Sequence, residues 1–370
     1  MSTITFHRTT SIEAEARRDP LGSATSIHRG GSHTGGVVGI VGAGHVGAAV
    51  ANALVLLGAT TRVVLYDRRA SRAEGEAWDI ADGTPLLGSV EIIATDDWQD
   101  LSDVEVAVVT VGGPFKPGQS RLDEHNGTLI RAVMGHLDRV APDAVVVIVS
   151  NPVDVLTRIA QDSSARPWHK ILGAGTVLDT ARLQHGLGGL LGVDARDIHV
   201  HVLGEHGDSS FPAWSSASVG PVPLASFPLP PTHNLAAIQS QCAERTRRRG
   251  PDDILARKGH TDAGVAVAVT RIVESVLRDQ QRVYTVSTRA LPEHRVREEA
   301  VLSLPSTIGK QGVVRRLPLA LNRAEQHMLE HSANVLEAAY QSETAQSTQP
   351  AKPVSHPRST DKQISLTNGA

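Results

Sequence analysis

Val37-Val38-Gly39-Ile40-Val41-Gly42-Ala43-Gly44-His45-Val46-Gly47 is the stretch on which the fold turns. A short β-type run leads into glycines at 42, 44 and 47, spaced G-x-G-x-x-G. The first glycine permits a tight turn, the second lets the backbone approach a pyrophosphate, and the third lets helix and strand pack closely. The helix that follows presents free N–H groups and a partial positive charge to phosphate. Residues 37–59 contain no Asp, Glu, Lys or Arg and could reach across a bilayer. Gly39, Gly42, Gly44 and Gly47, with His45 and Asn52, instead fit strand, turn and buried helix. Asp67 lies twenty residues past Gly47, at the end of Val63-Val64-Leu65-Tyr66. A carboxylate there suits both ribose hydroxyls of an adenosine and repels a 2′-phosphate, which favours NAD. Arg68, Arg69 and Arg72 follow and soften that preference. An ordinary strand-end turn residue is the plainer reading of Asp67, and the preceding glycines weigh against it.

Working outward, apolar β-type runs recur at 37–41, 62–66, 90–93, 104–111 and 144–149, with helical stretches or polar links between them. Short, continuously apolar strands separated by helices predict a doubly wound parallel sheet covered on both faces. After about residue 173 the pattern changes. A helix is expected from Thr176 toward Leu191, a strand over Ile198 to Leu203, and helices near 259–280 and 322–340. Gly220–Thr232 is Pro-rich and reads as a surface loop. The expected organisation is a disordered tail over 1–36, a dinucleotide-binding domain over 37–173, a mixed α+β substrate domain over 174–341, and a second disordered tail over 342–370. Both tails are too polar to offset the entropy of ordering.

Composition narrows the function classes. The 370 residues are 40% hydrophobic and 20% charged, with a formal net charge of −3, so neither a basic nucleic-acid surface nor a membrane-seeking face is expected. Met1 to Pro20 mixes Arg with Glu and lacks the apolar core of a secretory signal. Cys242 is the single cysteine. It excludes an intrachain disulfide and fits a reducing compartment, so a cytoplasmic location is expected.

His206 stands in Gly204-Glu205-His206-Gly207-Asp208. Histidine titrates near neutrality and can both give and take a proton, although one of seventeen histidines on a loop is by itself unremarkable. His199 and His201 share a strand face near it, but no acidic or Cys partner follows at ligand spacing, and no metal is expected. Asp179 and Arg182 are three apart on a predicted helix and share a face. A surface ion pair is the plain reading of that spacing.

The ordered set GAGHVG (42–47), GEAWDI (75–80), KPGQSR (116–121), SNPVD (150–154), GTVLDTAR (175–182), GEHGD (204–208) and KGHT (258–261) resembles the L-lactate/malate dehydrogenase family from about residue 37 to 340. The lactate type is the nearer. The resemblance implies a Rossmann fold and NAD-dependent reduction of a small 2-oxo acid to its 2-hydroxy acid, by a homotetramer or homodimer. It implies that His206 is the proton donor, that Asp179 orients it, and that Arg182 binds the substrate carboxylate through two parallel N–H bonds. Arg121, on a mobile Gly/Pro-rich lid, would meet the carbonyl oxygen. Asn151 and Thr261 would touch substrate, and Asn151-Pro152 would be a cis bond. The cofactor would lie on Gly42, Gly44, Val46, Gly47, Asp67, Arg72, Gly112, Gly113, Ser150 and Asn151.

Four positions depart from the family. Phe115 stands where lactate-type members carry Gln and malate-type members Arg. Without that Arg a second substrate carboxylate has no partner, so a monocarboxylic 2-oxo acid is expected, pyruvate or a larger apolar analogue. Malate dehydrogenase and a 2-hydroxyisocaproate-type enzyme are the alternatives, and a non-catalytic nucleotide-binding paralogue fits least. His199 matches one residue of the fructose 1,6-bisphosphate site of some bacterial members, but Gln184 replaces its Arg, so that activation is not expected. Thr128 replaces a common Asn. Gly250-Pro251 interrupts a helix that is continuous in the family, so a break or kink is expected there.

Overall fold

The computed structural model describes residues 4–6, 36–113, 122, 126–229 and 234–347. Seven parallel strands form its first half: β1 (Ile4–Phe6), β2 (Val37–Val41), β3 (Arg62–Tyr66), β4 (Glu91–Thr95), β5 (Val106–Val109), β6 (Val145–Ile148) and β7 (Ile171–Gly173). The connecting helices are α1 (His45–Leu56), α2 (Ala70–Gly83), α3 (Gly127–Val140) and α4 (Val153–Ser163). In space the strands run β1-β4-β3-β2-β5-β6-β7. The order reverses between β2 and β5, which opens a crevice beyond their C-terminal ends where such sheets bind ligands. Period-2 alternation fills both faces. Val41, Ala107, Val109, Val146 and Ile148 pack on one side with α3 and α4. Val38, Ile40, Val106, Val108, Val145 and Val147 pack on the other with α1.

The second half comprises α5 (Val177–Leu191), the short strands β8 (Ile198–His199), β9 (Val202–Leu203), β10 (Phe211–Pro212), β11 (Ser218–Val219) and β12 (Val222–Pro223), then α6 (Leu235–Arg248), α7 (Leu255–Lys258), α8 (Ala263–Leu277), β13 (Arg282–Arg289), β14 (Val301–Gly309), β15 (Gly312–Arg316) and α9 (Arg323–Ser347). Strand β13 joins β7 through Ser287 and Gly173, and β14 and β15 follow antiparallel. The mixed half thus extends the same sheet to ten strands, and α8 covers the α1 face through Val269, Ile272 and Val273.

Several expectations change. The expected strand over 198–203 is two strands, β8 pairing with β11 and β9 with β10. The loop at 220–232 holds β12, which forms a hairpin with β11 around Gly220. The interruption expected at Gly250-Pro251 takes the form of a π-helical turn, Arg249–Ile254, between α6 and α7. Such a turn absorbs a residue that lacks an N–H. Helix α8 starts only at Ala263, where Asp262 caps it by accepting from the Ala263 amide at 2.6 Å. Neither expected tail is wholly irregular. Ile4–Phe6 pairs with Ile92–Ala94. Helix α9 passes residue 341 and seats Glu343 against the Gly127 amide at 2.5 Å. Residues 7–35 and 348–370 lie outside the described residues.

Candidate active site

The glycine turn sits at the crevice. Gly42 has φ +111°, a left-handed conformation open to glycine, and its amide donates to the Tyr66 carbonyl at 2.8 Å. A Cβ on Gly47 would run into the Gly42 carbonyl oxygen, whereas a Cβ on Gly44 would meet nothing within 4 Å. The first and third glycines thus close the turn, and the second leaves open space above it. Helix α1 begins there with no side-chain cap and no acidic residue in its first turn, so its free amides face outward. Asp67 is buried. Its Oδ2 accepts from the Ala43 amide at 3.1 Å and its Oδ1 from the Arg69 amide at 3.0 Å, with the Arg72 guanidinium 3.9 Å away. Asp67 therefore braces the glycine turn, and a carboxylate with about four acceptor sites keeps capacity for more.

A cleft of about 550 Å³ opens over this turn. It is lined by Gly44, Val46 and Arg72, by Gly112, Gly113, Ser150 and Asn151, and by Arg182, His206 and Thr261. Gly112 has φ +155°, a backbone conformation that residues with side chains rarely adopt. Asn151-Pro152 is cis, as the sequence suggested. The Asn126 side chain donates to the Asn151 carbonyl at 2.9 Å. The Asn151 Oδ1 is buried without a hydrogen-bond partner among the described residues. A buried, unpaired acceptor costs free energy, so its place on a ligand cleft is informative. These features fit a bound dinucleotide. Among the described residues no group of three or more His, Cys, Asp or Glu side chains could hold a metal ion.

Behind two of these lining residues, Asp179 joins Arg182 and His206. Its Oδ2 lies 2.5 Å from His206 Nδ1, and its Oδ1 accepts from Arg182 at 2.9 Å. The Asp179–Arg182 ion pair expected from helical spacing is therefore present. It is not a surface pair, since the two side chains are 8% and 13% exposed. It forms part of a line that runs from α5 to the histidine loop. Arg121 and Phe115 lie outside the described residues. Gln184 donates to the Ile198 carbonyl at 3.0 Å, while His199 is exposed on β8.

Asp154 was not singled out by the sequence reading. It stands in the first turn of α4, 2% exposed. Its Oδ2 accepts from the His206 backbone amide at 2.7 Å, and its Oδ1 from the Ser287 and Ser303 hydroxyls at 2.7 and 3.1 Å. It therefore ties the histidine loop to α4, β13 and β14. Burial pushes its carboxyl up to about 6, while the donated hydrogen bonds and the His206 ring pull the other way. Between about pH 4 and 6 the folded chain holds a proton that the unfolded chain has lost. This contribution therefore falls as pH rises through that window and is level above it. Two units correspond to roughly 3 kcal/mol. Asp154→Asn keeps an acceptor for the His206 amide, and its amide nitrogen can donate to serine hydroxyls that rotate. The variant is expected to lose that part of the pH slope in urea unfolding between pH 4 and 7. An unaltered slope would show that Asp154 is ionised throughout.

Comparison with known proteins agrees with this geometry. Residues 37–173 match the NAD-binding domain of lactate/malate dehydrogenases, and residues 176–347 match their α/β C-terminal domain. An L-lactate dehydrogenase of Deinococcus radiodurans is 42% identical over 308 residues, 81% of this chain and 96% of that protein. One from Salinibacter ruber is 39% identical over 303 residues, covering 81% and 95%. Among solved structures, a lactate dehydrogenase from a Medee basin deep-sea metagenome library aligns with a TM-score of 0.78 at 30% identity, covering 84% of this chain and 99% of that one. The minor L-lactate dehydrogenase of Enterococcus mundtii aligns with a TM-score of 0.78 at 32% identity, covering 84% and 98%. With both halves matched, and with the glycine turn after β2 and the His206 of the His206–Asp179 pair lining one cleft, the chain belongs to the lactate/malate dehydrogenase family, NAD-dependent oxidoreductases that act on a CH–OH group.

Proposed function

We propose that this lactate-type, NAD-dependent dehydrogenase interconverts a monocarboxylic 2-oxo acid and its L-2-hydroxy acid, with His206 as the acid–base group. The observation that carries this reading is the Arg182–Asp179–His206 line on the cleft that the glycine turn also lines. Bound NADH supplies the hydride. Asp179 accepts from the Nδ1–H of His206, which fixes the tautomer, turns Nε2 to the reacting oxygen and offsets the charge of a doubly protonated ring. His206 gives its proton to the carbonyl oxygen during reduction and takes it back during oxidation. Arg182 holds the substrate carboxylate as a fork. Arg121 is assigned to the carbonyl oxygen on the strength of the family resemblance. The cofactor is held by Gly42, Gly44, Val46 and Gly47, by Asp67 and Arg72 at the adenosine end, and by Gly112, Gly113, Ser150 and Asn151 along the sheet. Asn151 and Thr261 border the substrate.

Phe115 sets the finer specificity in this reading. An apolar ring offers no countercharge to a second carboxylate. The chain is expected to prefer pyruvate, 2-oxobutyrate, 2-oxoisocaproate or phenylpyruvate to oxaloacetate in kcat/KM. A preference for oxaloacetate would overturn this and make the enzyme a malate dehydrogenase. Absence of NADH oxidation with every member of the panel would leave a non-catalytic nucleotide-binding protein. We also place the enzyme in the cytoplasm as a homodimer or homotetramer. Trp78 on α2 and Leu86 and Leu87 after its end are large apolar side chains 49%, 88% and 51% exposed, which suits contact with a second copy. Sedimentation at the mass of a single chain would argue against that assembly.

A further inference from the structure

One contact across the cleft belongs neither to the glycine pattern nor to the catalytic line. His45 opens α1 directly after Gly44, and His260 lies between Gly259 and Thr261. Their rings stack, with centroids 4.2 Å apart and planes within 9° of parallel. The stack joins the glycine turn to the loop that carries Thr261, so it bridges the two halves of the chain. Both rings line the cleft.

The charges of the cleft give the stack a chemical role. Six ionisable side chains stand among its described lining residues. Arg72 and Glu76 lie on α2 beside Asp67, and Arg182 and His206 lie at the substrate end. The remaining two are His45 and His260. A dinucleotide must lay its doubly negative diphosphate against Gly44, where the space is open and the α1 amides are free of any side-chain cap. The two histidines therefore supply ring N–H donors next to the place where that charge rests.

We propose that His45 and His260, one ring from each wall of the cleft, form a clasp whose ring edges meet the diphosphate of the bound dinucleotide. The proposal rests on the assignment of NAD as cofactor. His260 is held ready for this by Asp262. Its Nε2 lies 3.0 Å from Asp262 Oδ2, and Asp262 is itself fixed by the Ala263 amide and by Lys258. With Nε2–H turned to Asp262, Nδ1 is the ring atom that meets phosphate, and it donates there as the second N–H of a doubly protonated ring. Hydrogen bonds to a charged phosphate oxygen are about twice as strong as neutral ones.

The test titrates the full-length chain and its His45→Ala, His260→Ala and His260→Phe variants by calorimetry with NADH, ADP-ribose and adenosine. His45 is exposed and His260 lies at the cleft rim, so the core is left untouched. Each variant is expected to bind NADH and ADP-ribose about tenfold more weakly. Adenosine, which has no phosphate, is expected to bind all forms alike. His260→Phe keeps a flat ring for stacking but has no N–H, so it should behave as His260→Ala does. Unchanged NADH affinity in the variants would overturn the clasp. An equal loss for adenosine, or full affinity in His260→Phe, would overturn it as well, since either shows that shape and not phosphate contact is at work. A wild-type chain that binds neither NADH nor ADP-ribose would instead refute the cofactor assignment beneath it.

Discussion

Replacing His206 with alanine is expected to lower kcat by several orders of magnitude while NADH affinity stays within about threefold. General acid–base catalysis by a positioned side chain contributes roughly 10²–10⁴-fold, and loss of the proton donor also leaves the charge on the carbonyl oxygen unneutralised. The structure separates this effect from unfolding of the loop. Only the ring is removed, and the His206 backbone amide still donates to Asp154. Asp179 keeps Arg182, so the carboxylate-binding end is preserved too. Stopped-flow NADH oxidation would measure the chemical step, and quenching of protein fluorescence by NADH would measure binding. An equal fall in both would make His206 structural and would remove the acid–base assignment.

The turn that opens the cofactor cleft could be read from residues 37–47 because each glycine answers a local demand: a positive φ at Gly42, a close approach at Gly47, and open space at Gly44. The first-half strands could be read because their alternating faces are both apolar. Strands β13 and β14 could not. Thr285, Ser287, Thr288, Ser303 and Ser306 are all buried in them, and Pro305 sits in the middle of β14. Such a composition resembles a loop until its hydrogen-bond partners are known. Those partners are the site itself. Ser287 and Ser303 hold Asp154, and Thr285 shares a hydrogen bond with Thr180 on α5. The polar residues that hide the strands are thus the ones that buttress the histidine loop. Asp154 went unnoticed for the same reason, since its serine partners are 133 and 149 positions away. Residues 342–347 are too polar to read as helix from composition, yet they continue α9. The stripe Leu329, Ala333 and Leu336 carries α9 onto the core, and Glu343 finds a backbone donor on α3.

Arg182→Lys is expected to lower kcat/KM for 2-oxo acids by about 10²–10³-fold with NADH affinity unchanged. The substitution preserves the charge and removes the planar fork, so it isolates geometry from electrostatics. Asp179 anchors one guanidinium nitrogen at 2.9 Å, which fixes the plane in which the remaining donors are offered to a carboxylate. An ammonium group can satisfy Asp179 or the substrate, but it cannot span both in one plane. The loss combines a charge-assisted hydrogen bond of roughly 1.5–3 kcal/mol with a substrate free to rotate away from the hydride, and small misplacement alone costs about 10²-fold. Because orientation is affected, kcat should fall as well as KM rise. A methyl ester of the same 2-oxo acid offers no carboxylate to the fork. Its slow reduction should therefore be insensitive to Arg182→Lys. If the ester and the free acid lost activity equally, Arg182 would act by holding Asp179 against His206, and the carboxylate would have to be bound elsewhere.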